Sequence, residues 1–338
     1  MSRYAEAHKN SKGAGDARPT ALQIVKDEGL LGKLTDKVFV VTGVSSGIGI
    51  ETLRALYATG AHVFGTVRDV PKGQKVADDI TAETKGGKIT LINMTLDDLS
   101  SVKKGAQDIL SQTKTINGLI NNAGVMATPE GKTKDGFETQ FGTNHVGHFY
   151  LFQLLKEALL NSATSDFPSR VVSVSSFGHR SAEVRFHDYN FSEPGSYNNW
   201  RSYGQAKTAN IYFSNELERR YGSRNLHSSS LHPGGIATGL QVHVAEDMKG
   251  YEGNEAVICY MKSPQQGAAT SVYAALSEEW KYKGGKYLSN CVEEKPFAHE
   301  GQPMTVGDDG YAPWAYDESK EKQLWADTLK MVGLEDDQ

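Results

Sequence analysis

The chain's most constraining feature is one junction. Lys37–Thr42 reads KVFVVT and runs straight into Gly43-Val44-Ser45-Ser46-Gly47-Ile48-Gly49. A β-branched and aromatic run that stops at glycines reads as a buried strand. Ile48, Leu53, Leu56 and Tyr57 follow at helical spacing. Strand, glycine turn and helix in succession aim free N–H groups and a helix dipole at the turn, which is where an anion binds. Gly43 permits the tight turn, Gly47 lets backbone approach a phosphate, and Gly49 allows close helix–strand packing. The spacing is G-x-x-x-G-x-G rather than G-x-G-x-x-G. The turn's place in the wider pattern must therefore carry the reading.

That pattern repeats. His62–Thr66, Ile89–Asn93, Gly118–Asn121, Arg170–Val174, Ser228–Leu231 and Lys286–Leu288 read as further strands. Helical stretches separate them, the clearest over Val146–Asn161 and Tyr203–Tyr221, and Ser263-Pro264-Gln265-Gln266 is a capped helix start. The alternation predicts one doubly wound α/β domain over 36–290, with a seven-stranded, mostly parallel sheet and helices on both faces.

At 338 residues the chain is long for one domain, so the excess needs an account. A polar N-terminal arm (1–35), loose over its first part, an insert (181–200) and a C-terminal extension (291–338) supply it. The extension holds 12 acidic and 4 basic residues against a whole-chain net charge of −5. No basic footprint invites nucleic acid. Gly310–Tyr316 is aromatic-rich, and Leu324, Trp325, Thr328, Leu329 and Val332 predict a helix over 317–332 that folds back near the substrate mouth. Glu335–Gln338 reads as a free acidic end. No stretch reaches the ~18–20 apolar residues of a membrane span, and the N-terminus has no apolar signal core. The expectation is a cytosolic protein without an anchor, with Cys259 and Cys291 as reduced thiols. His179, His187 and His243 lack a metal-ligand spacing, so no metal is assigned.

The chemistry gathers after strands. The second strand ends Thr66-Val67-Arg68-Asp69, where an acidic residue suits a ribose 2′-hydroxyl and a basic one a 2′-phosphate. Arg68 comes first, which favours NADP, with Asp69 against it. Tyr203 and Lys207, at i and i+4, share a helical face. An ammonium there lowers a phenol's pKa from ~10 toward the working pH, as proton exchange with a carbonyl or alcohol requires. Ser175-Ser176, Asn121-Asn122-Ala123-Gly124 and His232-Pro233-Gly234 each follow a strand. In parallel sheets such positions face one crevice.

In this order, T-G-x-x-x-G-I-G at 42–49, N-N-A-G at 121–124, a serine after the fifth strand, Y-x-x-x-K at 203–207 and P-G at 233–234 resemble the short-chain dehydrogenase/reductase family, over residues 36–290. Lys134–Glu138, Asn144–Phe149, Phe186-His187-Asp188 and Phe213–Leu217 resemble the retinol dehydrogenase and WW-domain oxidoreductase subgroup. The resemblance implies a Rossmann-type fold binding a nicotinamide dinucleotide, which Arg68 makes NADP(H). It implies Tyr203 as general acid/base, Lys207 as its partner and a hold on the nicotinamide ribose, Ser176 (over Ser175) orienting the reacting oxygen, and Asn144 on a helix holding a relay water. Gly43, Ser45, Ser46, Gly47 and Ile48 would line the phosphates, Asn122, Ala123 and Gly124 the adenosine side, and Pro233, Gly234, Ile236 and Thr238 the nicotinamide. Members of the family often dimerise through helices including the one that carries Tyr203, so the resemblance allows a homodimer and leaves the oligomeric state open.

Two departures stand out. Thr95 occupies the position of the family's adenine-contacting Asp, with Asp97 and Asp98 just beyond. The 181–200 insert carries Tyr189, Phe191, Tyr197 and Trp200, which either shape an apolar substrate pocket or pack the insert down. Residues 239–260, with His243, Met248, Tyr251 and Tyr260, would form the variable substrate region. The leading expectation is hydride transfer between NADP(H) and a carbonyl or alcohol of a small lipophilic molecule. The alternatives are an epimerase or dehydratase of the same superfamily, against which the glycine spacing speaks, and a non-catalytic NADP-binding scaffold, against which the intact tetrad speaks.

Overall fold

The apolar runs pair into one sheet in a computed structural model, which describes residues 2–250, 253–298 and 307–336, with backbone alone at 247 and 248. The strands are β1 (Val38–Thr42), β2 (His62–Val67), β3 (Lys88–Asn93), β4 (Gly118–Asn121), β5 (Ser169–Val174), β6 (Leu226–His232), β7 (Lys286–Ser289) and β8 (Val292–Glu293). Their order is β3-β2-β1-β4-β5-β6-β7-β8. The first seven are parallel, and β8 turns back antiparallel on β7. The seven expected strands gain this eighth, which at two residues is too short to show an alternation.

Every residue of β1, β4, β5 and β6 is buried, as a sheet covered on both faces requires. Leu53, Leu56 and Val272 pack one face, and Val102, Phe152 and Phe213 the other. Strand order reverses between β1 and β4. That opens a crevice at the carboxyl ends of the strands.

The N-terminal segment is not the loose arm expected from its composition. Tyr4 and Arg18 are buried. The Arg18 guanidinium donates to the Asp16 carboxylate at 2.8 Å and to the carbonyls of Gly13, Tyr260 and Met261 at 3.0, 2.9 and 2.6 Å. Ser263 caps the Pro264–Gly267 turn as expected, and Gln266 of that capping box also accepts from Gly15 N and donates to Arg18 O. A segment poor in apolar side chains is anchored here through main-chain carbonyls.

The C-terminal extension forms a helix over Glu318–Met331 that lies along the Asn199–Tyr221 helix. Trp325 stacks on Phe213 at 6.0 Å and meets Phe149 edge-on at 5.0 Å, while the Arg220 guanidinium sits 4.7 Å from its centroid. This covers the C-terminal half of the Tyr203 helix with the chain's own residues. The expected free acidic end is corrected. Asp336 makes a two-pronged ion pair with Arg220 at 2.8 and 2.9 Å, and residues 337–338 lie outside the described residues.

Of Tyr189, Phe191, Tyr197 and Trp200, the first three pack the insert down. Tyr189 stacks on Phe141 and donates to Asp327 of the C-terminal helix at 2.8 Å, and Phe191 lies edge-on to Tyr197, whose hydroxyl donates to Thr128 O. Trp200 alone reaches the crevice. The insert also ends earlier than expected, because Asn198 caps a helix that already starts at Asn199.

Candidate active site

A cleft of about 1060 Å³ runs along the carboxyl ends of the strands. Gly43, Ser45, Ser46, Gly47, Ile48, Arg68, Asn122, Ala123, Gly124, Ser176, Tyr203, Lys207, Pro233, Gly234, Ile236 and Thr238 all line it. Of the expected catalytic and cofactor-binding residues, only Asn144 stands behind the wall.

The glycine turn is built for close approach. Gly43 takes φ +73°, and a Cβ there would fall 2.8 Å from that of Ala123. A Cβ on Gly49 would lie 2.1 Å from Gly43 O. Gly47 begins the Ile48–Ala58 helix without a side-chain cap, so the first-turn N–H groups stay open toward the cleft. Asn122 Nδ2 donates to Thr42 O at 2.8 Å, while its buried Oδ1 finds no partner among the described residues. Uncapped donors, a missing side chain and an unmatched amide oxygen together fit a dinucleotide's pyrophosphate and adenosine side.

At the end of β2 the two charges separate. Asp69 accepts from Lys72 N at 3.0 Å and caps the following helix. Arg68 is exposed, lines the cleft and has no ion pair among the described residues. Beyond β3, Thr95 and Asp97 line the wall and bond each other, while Asp98 caps the next helix and pairs with Lys134.

Burial governs the tyrosine and lysine. It pushes the Tyr203 phenol up to about 12, with the Ser176 hydroxyl pulling the other way. It pulls Lys207 down to about 8. The expected lowering of the phenol is thus corrected: desolvation dominates, and the ammonium, 5.6 Å from the ring centroid, donates instead to Val174 O at 2.9 Å. Below about pH 8 both groups hold their protons. The two serines also part. Ser175 spends its hydroxyl on Lys207 O at 2.7 Å, whereas Ser176 accepts from Gly178 N at 3.0 Å and stays beside Tyr203. Gly178 makes room for that ring, since a Cβ would meet its Cε1 at 2.8 Å.

Asn144 lies in a π-helical turn, Gly142–Val146, a distortion that recurs at functional sites. Its amide exchanges two hydrogen bonds with Val125, both 2.9 Å, and its carbonyl accepts from His148 Nδ1 at 2.9 Å. With Nδ1 protonated, His148 Nε2 accepts from the Thr42 hydroxyl at 2.8 Å, and that oxygen accepts from the backbone N of Asn122 and Ala123, each 2.9 Å. Burial pulls the ring down to about 4, which keeps it neutral.

His148 thus links the glycine turn, N-N-A-G and Asn144, a role that spacing along the chain does not reveal. His179 is another residue the sequence left without a role. Its Nδ1 donates to Ser176 O at 2.6 Å and its Nε2 accepts from Ala312 N at 3.0 Å, tying the C-terminal extension to the serine's turn. Gly307 and Asp308 of that extension reach the cleft wall. Of the variable region, His243 and Tyr260 line the cleft; Tyr251 and the Met248 side chain lie outside the described residues.

The family model for short chain dehydrogenase matches residues 37–249. The chain is 47% identical over 333 residues to short-chain dehydrogenase/reductase prx1 of Penicillium roqueforti, spanning 98% of this chain and 95% of that one. It is 38% identical over 267 residues to retinol dehydrogenase 12 of Mus musculus, spanning 77% and 79%. An uncharacterized Mycobacterium paratuberculosis protein of known structure superposes with a TM-score of 0.66 at 32% identity, over 91% of this chain and 97% of its own. Fold, cleft and likeness over nearly the full length agree, and the chain belongs to the short-chain dehydrogenase/reductase family of oxidoreductases.

Proposed function

We propose that the chain is an NADP(H)-dependent oxidoreductase that reduces the carbonyl of a small lipophilic molecule, or oxidises the matching alcohol, in the cytosol. The observation that carries this reading is the meeting of Ser176, Tyr203 and Lys207 in one cleft with the glycine turn. NADPH supplies the hydride when bound. Gly43, Ser45, Ser46, Gly47 and Ile48 would hold its pyrophosphate, and Arg68 its 2′-phosphate, Asp69 being engaged as a helix cap. Thr238, beside Gly47, and Ile236 would close over the nicotinamide.

Tyr203 Oη holds the proton and delivers it to the substrate oxygen as the carbonyl is reduced. A buried phenol that keeps its proton at neutral pH suits this direction. Ser176 orients the oxygen. Lys207 puts a positive charge beside the phenol, which favours the phenolate left behind. Met126, Pro129, Trp200, Leu240 and Met261 give the cleft an apolar wall, which supports a lipophilic substrate. The retinol dehydrogenase relative points to the same class.

A panel of aliphatic and cyclic aldehydes, ketones and alcohols, read at the nicotinamide absorbance with NADPH, NADP⁺ and NADH, tests the proposal. Turnover of lipophilic carbonyls with a preference for NADPH is expected. NADPH binding without turnover anywhere in the panel would instead favour a scaffold.

A further inference from the structure

We propose that Tyr260 is a specificity-determining hydrogen-bond donor, and that the preferred substrate carries a second acceptor oxygen apart from the carbonyl that reacts. This rests on the reduction proposed above.

The tautomer of His232 carries the argument. His232 closes β6, is buried, and has Nδ1 3.3 Å from the backbone N of Phe177. A backbone N–H can only donate, so Nδ1 accepts, and the neutral ring carries its proton on Nε2. Burial, with Lys262 and Arg180 nearby, keeps the ring well below the usual histidine range and therefore neutral. Nε2 lies 2.9 Å from the Tyr260 phenol oxygen, so the imidazole donates and the phenol accepts. The phenol's own proton is left over. Among the described residues no acceptor takes it.

That proton is available to the cleft. Tyr260 and His232 line it together with Ser176 and Tyr203. Phe177 follows Ser176 directly, so one hydrogen bond ties the pair to the serine's turn. Tyr260 is also held from behind. Arg18 of the N-terminal segment donates to the carbonyls of Tyr260 and Met261 at 2.9 and 2.6 Å. Gly235 leaves space for the ring, since a Cβ there would fall 2.7 Å from Tyr260 Cε1. A donor already fixed at ring and backbone loses little freedom on binding. Phe177, Val244, Val257 and Met261 make the neighbouring wall apolar. One fixed donor in such a wall favours a ligand oxygen there and penalises an alkyl chain that leaves the hydroxyl unpaired.

Decanal and the positional series of oxodecanals, which add one carbonyl acceptor to the same chain, are the probes, with NADPH as reductant. In the unaltered enzyme at least one oxodecanal is expected to exceed decanal in kcat/KM. Tyr260→Phe is expected to erase that preference by about tenfold, mainly through KM. His232→Leu is expected to lose the same preference, and His232→Gln, which keeps an N–H donor at that reach, to recover part of it. Thermal melts check that each variant folds. A preference that survives Tyr260→Phe or His232→Leu overturns the inference. So does a loss shared equally by decanal and the whole series, which would place Tyr260 on the reacting oxygen. If the unaltered enzyme reduces no member, the proposed reaction fails instead. Calorimetric affinities of the series for the NADPH-bound protein then decide Tyr260 by the same ratio.

Discussion

At the glycine-turn end of the cleft the wall is mostly main chain. Gly43, Gly47 and Gly49 work by lacking side chains, and one contiguous run supplies them. At the Phe177 end the wall is side chains from distant segments: Phe177 and Arg180, then His232, then Tyr260, then Asp308. Each is held by a partner from elsewhere in the chain, as Arg180 is by Asp308 O at 3.0 Å and Tyr260 by Arg18. A phosphate presents the same shape in every member of such a family, so a short rigid turn serves it. A substrate that varies is met by parts that can vary separately. The first end is robust and local, whereas the second depends on both chain extensions being in place.

Perturbations should therefore separate the two ends. The largest effect is expected at the turn. Gly49→Ala drives a methyl into the Gly43 carbonyl, which is backbone and cannot swing away. NADPH affinity, followed by fluorescence titration, should fall more than about a hundredfold, because main-chain donors move from their positions. Trp325→Ala acts from the opposite side. Removing an indole packed among Phe149, Phe152 and Phe213 should cost about 3–5 kcal/mol in denaturant unfolding. It loosens the extension that supports the Phe177 end, so KM for carbonyls should rise while NADPH affinity holds. An equal loss at both ends would contradict the division.

Arg68→Ala should weaken NADPH by about tenfold and leave NADH unchanged, the loss of one charge-assisted phosphate contact. Steady-state KM values for the two cofactors check it.

The smallest effect near neutrality is acid sensitivity. Burial pulls His145 to about 3, His148 to about 4 and His179 to about 3, and His232 well down. These folded values lie below those of an unfolded histidine, so the unfolded chain binds more protons. Stability is full above about pH 6.5 and is lost as pH falls toward about 4, each group contributing up to about 1.4 kcal/mol per pH unit. Melting temperature against pH should drop through that window. His179→Gln, which removes one such group, should shallow the slope.

The same division explains what was legible in the sequence. Thr42–Gly49, Asn121–Gly124 and Tyr203–Lys207 are local patterns whose chemistry follows from strand ends and helical spacing. Arg68 could be singled out because it directly follows β2. That Asp69 is engaged as a helix cap turns on one rotamer, which spacing does not give. His148 lies within the Asn144–Phe149 run, but its meaning comes from Thr42, over a hundred positions away. Tyr260 falls in the variable substrate region by position, but its role rests on the tautomer of His232 and on Arg18, which no local pattern shows. The N-terminal segment misled because polarity suggests solvent, whereas Arg18 buys its burial with main-chain carbonyls. The expected fall in the Tyr203 pKa failed for a similar reason. Spacing shows that a cation is near but not how dry the site is.

The central claim is that one end of the cleft holds the reductant and Tyr203 separately holds the proton. Tyr203→Phe keeps the ring and removes only the hydroxyl. NADPH affinity by fluorescence titration and decanal turnover, measured on the same preparation, test the claim directly. Affinity within about twofold of the unaltered protein, with turnover down more than about a thousandfold, is the expected result. Turnover that persists at a comparable rate would contradict it.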